Sequence, residues 1–526
     1  MTIANTSGCD RRVWIALGVI LILATWLRAY DIGRASVWLD EVVSLMFSTG
    51  RPAARFDQPS DAIVSPGHDM TGLDDARPLA AAWTSSADDT HPPLHAFLLR
   101  LWRMTFGGGD VAARWLSALF SVLSILLLFD ATRLLHGTTA ALWAAAVMAV
   151  ASPQIEFAQE VRGYAMSVCL SLATVAAVVR IEKLGVNWSR LIALGASCWA
   201  ATMTHYGAMP VNVAIGLYVL IRLRGRARAL SLASLALAGV AFLAIWGPTL
   251  WEQRHNFSSN LGWLTDDPDG HVLRTFLRLA GLPIQFFITP TLSDRASWVG
   301  QLGAILYVAP IALLFVARRR DLLIWCLVGG LVIATAAASD LISTRKSLEK
   351  MRFVLAAAPA AYAIIVALMS NARSKWTRHV LPATVVLACV LSLNEAYNRF
   401  WKPPYREFAA RFDRAAGSDD VIVAKFQTPP KDWPEPAFVA ALTRYSRYPH
   451  RPMLVLSKPA DESLRRQLAA APGVWFLSAD AQSPPIDQFL PDVHHGAFVG
   501  DPFIGSATKI EFNASDATST SPTSAR

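Results

Sequence analysis

The chain has 526 residues, 53% of them hydrophobic and 17% charged, with a mean hydropathy of +0.36, which is too apolar for a soluble protein of this length and implies a membrane protein with a polar remainder. The formal net charge of +9 falls largely in short loops between apolar runs, where it reports topology and gives no reason to expect nucleic acid as a partner. Cys9, Cys169, Cys198, Cys326 and Cys389 show no CxxC spacing, so neither a disulfide framework nor a thiolate metal site is implied.

The first apolar run, 13–30, follows Arg11 and Arg12 but is longer than the core of a signal peptide. No small-residue cleavage site follows it. It therefore reads as a retained signal anchor. Just beyond stands Trp38-Leu39-Asp40-Glu41. Two adjacent carboxylates beside a membrane are expensive to desolvate and need a reason to be there. One reading is an acidic cap on a helix whose first turn is 42–46, where negative charge suits the helix dipole. The other is catalytic.

A bilayer core of about 30 Å needs about 20 apolar residues per helix. On that rule spans fall near 13–30, 113–133, 138–156, 164–180, 190–206, 208–222, 229–248, 298–317, 321–339, 351–370 and 378–396. Arg11 and Arg12, Arg133, Arg180 and Lys183, the run from Arg222 to Arg228, Arg318 to Arg320, and Arg373, Lys375 and Arg378 occupy alternate loops. Those loops are expected to be cytoplasmic, with the N-terminus inside and the C-terminus outside.

The opposite loops collect ionisable and aromatic residues: Asp40-Glu41, His91-Pro92-Pro93, Gln159-Glu160-Val161-Arg162, His205-Tyr206, Arg254, and Arg345 to Arg352. The loop 31–92 is far longer than a connection requires, as binding or lid segments often are. The segment 271–289 carries His271, Arg274 and Arg278 on its early turns; counting it as a span would invert every later loop, so it reads as a helix in the outer interface or re-entering it.

A partly desolvated carboxylate near cations can act as general base toward an acceptor hydroxyl or amine. Asp40 and Glu41 cannot both do so, since sequence neighbours point in different directions and close like charges oppose each other. His91 stands either at a rigid corner before Pro92-Pro93 or on a substrate. Gln159, Glu160, Arg162 and Tyr164 form either an interfacial polar cap or a binding turn. His205 and Tyr206 lie at another outer boundary. Arg254 and Arg352 either snorkel or bind a lipid-linked phosphate as a guanidinium fork. Glu41, His91 and His205 are possible oxygen and nitrogen donors to a divalent ion, but they lack ligand spacing on one helix, so no metal is firmly implied. Phe106-Gly107-Gly108-Gly109 has neither the strand before it nor the Lys-Ser or Lys-Thr after it that a phosphate loop requires.

Beyond residue 397 the composition changes. Short apolar runs at 421–424, 453–456 and 474–477 alternate with helical stretches at 438–445 and 462–471, which predicts a small α/β domain over 397–512 with a largely parallel sheet. The Ser/Thr/Ala-rich tail 513–526 is expected to be disordered.

Taken in order, these residues resemble the GT-C class of membrane glycosyltransferases, specifically the family 39 relatives of protein O-mannosyltransferases and lipid A aminoarabinose transferases. The resemblance is carried by Trp38-Leu39-Asp40-Glu41, His91-Pro92-Pro93-Leu94, Leu98 to Trp102, Arg114, Ser152-Pro153, Gln159 to Tyr164, His205-Tyr206, and Arg352-Phe353 through Pro359. It covers roughly residues 10–400. Two segments depart from the pattern: Met351-Arg352-Phe353-Val354, where Arg-Tyr-Leu is commoner, and Trp401-Lys402-Pro403-Pro404-Tyr405-Arg406, which only partly matches the usual opening of the outer domain.

The resemblance implies a polyprenyl-phosphate sugar donor used at the extracytoplasmic face with inversion, Asp40 as base and Glu41 positioning substrate. The expectation is therefore a mainly α protein. A helical membrane core of about 11 spans over 1–396 includes the long outer loop 31–92 and precedes the outer α/β domain. It would transfer a hexosyl or pentosyl group to a lipid, glycan or protein acceptor at the outer face of the cytoplasmic membrane, in a cleft between the first loop and the outer span ends. The rivals are a lipid-linked glycan polymerase or ligase, a transporter or flippase, and a non-catalytic interaction protein acting through its outer domain. A transporter should show internal repeats and broken helices at matched positions, and no convincing repeat is present.

Overall fold

The computed structural model describes residues 11–52, 59–88, 90–254, 262–288, 319–370, 374–399, 402–425, 434–478, 489–491, 493–501 and 505–512. In chain order the helices are α1 (Arg11–Ala29), α2 (Leu39–Ser48), α3 (Ala81–Thr84), α4 (Leu94–Phe106), α5 (Asp110–His136), α6 (Thr138–Val150), α7 (Ser152–Glu156), α8 (Tyr164–Leu184), α9 (Trp188–Thr204), α10 (Met209–Arg222), α11 (Gly225–Gln253), α12 (His271–Gln285), α13 (Leu323–Ile342), α14 (Met351–Val354), α15 (Ala358–Ser370), α16 (Lys375–Arg399), α17 (Tyr405–Ala415), α18 (Pro434–Tyr445) and α19 (Glu462–Ala469). The strands are β1 (Ile63–Val64), β2 (Val421–Lys425), β3 (Met453–Leu456), β4 (Val474–Ser478), β5 (His494–Asp501) and β6 (Gly505–Glu511).

The expected spans other than 298–317, which lies outside the described residues, coincide with helical segments, 138–156 and 351–370 each with more than one. Among the described residues six helices are long and apolar enough to cross a membrane: Arg11–Ala29, Asp110–His136, Tyr164–Leu184, Gly225–Gln253, Arg320–Ile342 and Met351–Ser370. The pair Thr138–Val150 and Ser152–Gln159, bent by 61°, makes a seventh if it is one broken span. α9 and α10 have only 17 and 14 residues, roughly 25 and 21 Å at 1.5 Å per residue.

The chain divides into two compact units, Met1–Ile32 with Ala113–Phe400, and Gly33–Ala112 with Trp401–Arg526. The long first loop, expected within the helical core, thus groups with the C-terminal domain. In the first unit α6 is the buried centre, contacted by α1, α15 and α16. Ala140, Ala141, Ala144 and Ala145 are fully buried, and such small side chains let neighbouring backbones approach closely.

α12 occupies the expected interfacial segment. It exposes Val272, Leu273, Phe276 and Leu277, while Arg274 Nε and Arg278 Nη1 donate to Asp266 Oδ2 at 3.2 and 2.9 Å. Burial raises the Asp266 pKa, but the hydrogen bonds from Arg278 and Arg274 outweigh it and hold the group below the usual carboxylate range. A depressed carboxylate stabilises the folded state above its unfolded pKa, and that stabilisation is lost as pH falls through the folded value. Limited proteolysis of 262–288 is therefore expected to be resisted at neutral pH and to accelerate on acidification; in Asp266→Asn the acid-dependent part should vanish.

In the second unit the strands form one six-stranded sheet in the order β1-β3-β2-β4-β6-β5. β2 pairs in parallel with β3 and β4, and these three strands are buried throughout, as central strands covered on both faces are. The sheet is mixed, which corrects the expectation of a largely parallel one: β5 and β6 add an antiparallel hairpin, and β1 pairs antiparallel with β3 through Ile63 to Leu454 and Val64 to Met453. β1 belongs to the first loop, so that loop supplies an edge strand to the C-terminal sheet. The tail 513–526 lies outside the described residues.

Candidate active site

The acidic pair sits on the first turn of α2, with Asp40 and Glu41 as its second and third residues. The half-buried Asp40 and the fully buried Glu41 differ in access. Glu41 Oε2 accepts from Trp38 N at 3.3 Å and from Lys402 Nζ at 2.9 Å. Both carboxylates favour the helix N-terminus through the dipole, and Glu41 reaches back to cap the turn. The capping explanation thus holds for Glu41. A buried carboxylate needs a partner cation, and Lys402, whose side chain is 10% exposed, supplies it.

The far end of α2 is clamped as well. Arg103, on α4, donates from Nη1 to Ser48 Oγ at 2.6 Å and from Nη2 to the Thr71 carbonyl at 2.6 Å. Burial first, then the nearby Arg444, lowers the Arg103 pKa to about 9. His91 is half-buried just before Pro92 and Pro93, which are buried and lead into α4, and α4 packs on α2. Asp40, Glu41 and His91 therefore belong to the second unit.

The first unit gathers another set. Pro153, near the start of α7, ends α6 at Ala151, because a proline has no N–H to donate to the carbonyl four residues back and its ring clashes with that carbonyl. The carbonyls left at the end of α6 need partners. Arg28 provides them: its fully buried guanidinium donates to the Met148 and Ala149 carbonyls at 3.2 and 3.0 Å and to Ser121 Oγ at 2.8 Å. Gln159 Nε2 then binds the Arg28 and Tyr30 carbonyls at 3.1 and 2.7 Å, and Ser117 Oγ binds the Arg162 carbonyl at 3.2 Å.

Gln159, Glu160, Arg162 and Tyr164 are all buried. The Arg162 guanidinium lies 5.6 Å from the Tyr164 ring centre, and that ring stands 5.4 Å from the imidazole of His205. His205 Nδ1 accepts from Gly207 N at 2.9 Å, so the neutral ring carries its proton on Nε2. Tyr206 Oη donates to Gln253 Oε1 and accepts from Trp246 Nε1 at 2.9 Å.

Arg254, exposed at the end of α11, lies over the Trp251 ring at 3.1 Å from its centre. Arg352 is half-buried in α14, 5.8 Å from the Phe353 ring centre. The loop before it is tied down by Asp340, whose carboxylate accepts from Ser347 N and Leu348 N at 2.6 and 3.1 Å. The structure brings Arg162, Tyr164 and His205 together by ring contacts. Among the described residues no three His, Cys, Asp or Glu side chains converge as a metal site.

Sequence reasoning missed Lys402 as the partner of Glu41 and, in the other unit, Arg28 as the partner of the end of α6. Lys402 had only a partial motif to mark it, and Arg28 was hidden at the end of an apolar run.

A family model described as dolichyl-phosphate-mannose-protein mannosyltransferase matches residues 90–251. A search of curated proteins gives no significant match. Among solved structures, apo ArnT from Cupriavidus metallidurans aligns with a TM-score of 0.56 at 14% identity, covering 97% of this chain and 99% of that one. ArnT from the same organism bound to undecaprenyl phosphate gives 0.47 at 15%, with 97% and 99% covered. The S. cerevisiae protein O-mannosyltransferase Pmt1-Pmt2 complex bound to its sugar donor gives 0.32 at 17%, covering 52% of this chain and 36% of that one. The alignment to apo ArnT shows the fold.

Proposed function

With the GT-C membrane-glycosyltransferase fold as premise, we propose that the chain is an inverting glycosyltransferase that moves one sugar from a polyprenyl-phosphate donor to an acceptor at the outer face of the cytoplasmic membrane. The observation that carries the assignment of roles is the unequal fate of the two acids. Glu41 is sealed against Lys402 and the Trp38 amide, whereas Asp40, on the same turn, keeps solvent access. Asp40 is the base: it takes the proton from the acceptor hydroxyl or amine as that atom attacks the anomeric carbon. The bond from that carbon to the phosphate oxygen breaks on the opposite face, giving inversion. Phosphate leaves as a stable anion, so the second acid of a glycoside hydrolase is unnecessary.

Charge on the departing phosphate needs cations instead. Arg254 and Arg352 are the proposed ligands, since a guanidinium matches phosphate bidentately. Gln159, Glu160, Arg162, Tyr164, His205 and Tyr206, with His91, are the proposed sugar and acceptor contacts. The alternation of basic loops supports an N-terminus inside and the acidic pair outside.

Mass spectrometry of envelope lipids and glycans should show one sugar modification that disappears when the gene is deleted and returns with the wild-type copy. An unchanged envelope, together with no release of polyprenyl phosphate from any polyprenyl-phosphate sugar offered to the purified protein, would sink the reading.

A further inference from the structure

We infer that the C-terminal domain holds the backbone that carries the acidic pair, and that Tyr445 is the positioning residue through which it does so. The inference rests on the reading of Asp40 as base. Residues 36–38 have no regular secondary structure, and a buried backbone N–H there needs a partner from elsewhere in the fold. Val37 is fully buried, and its N–H donates to Tyr445 Oη at 2.7 Å. The same hydroxyl donates to Asp110 Oδ2 at 2.6 Å.

Asp110 is itself locked. Arg444 reaches its Oδ1 from Nε at 2.7 Å and from Nη2 at 2.6 Å, and Arg406 reaches Oδ2 at 3.4 Å. Arg444 also holds the Gly108 carbonyl at 2.9 Å and Thr71 Oγ1 at 3.2 Å. Burial, followed by the charge of Asp110, pushes the Tyr445 phenol well above its ordinary pKa, so the hydroxyl keeps its proton for Asp110 across the working pH range.

Two further anchors act on the same stretch. Arg406 N donates to Ser36 Oγ at 3.2 Å and Arg406 Nη1 to the Arg34 carbonyl at 3.3 Å, while Lys402 holds Glu41. Residues 402, 406 and 445 thus grip positions 34, 36, 37 and 41, on both sides of the turn that begins the acidic pair. The first loop and the C-terminal domain meet in these contacts, and β1 pairs with β3 in one sheet. Because a misplacement of about 1 Å costs a reaction about a hundredfold, a device that sets the Asp40 backbone matters to rate without touching substrate.

The test uses the full-length chain in lipid nanodiscs and in the gene-deletion strain, comparing wild type, Tyr445→Phe and Asp40→Asn. In Tyr445→Phe, deuterium exchange of the Val37 amide should rise about fivefold, the loss of one net hydrogen bond, with the unfolding midpoint little changed. The envelope modification restored per folded molecule should fall about tenfold, and affinity for undecaprenyl phosphate should stay at the wild-type value. Unchanged exchange overturns the inference, whatever the activity; raised exchange with full activity overturns it too. Should Tyr445→Phe fail to accumulate, Ser36→Ala, which removes the acceptor of Arg406 N, is read by the same two criteria. If Asp40→Asn restores the modification fully, the base assignment itself fails, while the exchange result still judges the anchoring.

Discussion

With Asp40 as the proposed base, Asp40→Asn is expected to lower sugar transfer by about a thousandfold, the scale of a lost general base, while leaving donor affinity and the unfolding midpoint near wild type. The amide keeps the shape and the dipole-facing position on the first turn of α2 but can no longer take the acceptor proton. Glu41 cannot substitute, because it is fully buried and its Oε2 is engaged by Lys402 and the Trp38 amide. Single-turnover transfer measured beside donor binding separates the two contributions. A variant that binds donor normally and turns over at the wild-type rate would remove Asp40 from the mechanism.

Lys402→Met is expected to cost about 3–5 kcal/mol of stability, the penalty for leaving a buried carboxylate without its cation. The pair is 2.9 Å long with Glu41 fully buried, so water cannot replace the lost charge without opening the turn. Lys402→Arg keeps the charge and should recover part of the loss. The double variant Lys402→Met with Glu41→Gln should be more stable than Lys402→Met alone, since it removes the stranded charge along with its partner. Denaturant unfolding of the three proteins measures this; equal midpoints for the single and double variants would show that the ion pair is not the source of the loss.

Much of the helical core was legible in the chain itself. Long apolar runs and the amphipathic stretch that became α12 are local signals, since a helix satisfies its own backbone and only its side chains need a suitable solvent; the break before Pro153 inside the expected span 138–156 was not drawn from them. The buried strands β2, β3 and β4 announced themselves as short apolar runs for the same local reason. β1 did not, because two residues with half-exposed side chains carry no periodicity, and their pairing exists only where β3 offers an edge. The length of the first loop was visible, but not that it folds with the C-terminal domain.

The acidic pair shows the same division. By itself the sequence determined that two carboxylates follow the first apolar run; it offered a helix start beside them as one reading, and set them in the same series of alternate loops as the histidines and arginines. Only the tertiary structure decided that they are unequal. Glu41 meets Lys402 across 361 residues of chain, and Val37 meets Tyr445 across 408. Contacts at that separation leave no local pattern, because they depend on which faces the folded chain buries together; that burial encloses Glu41 completely and leaves Asp40 half-buried.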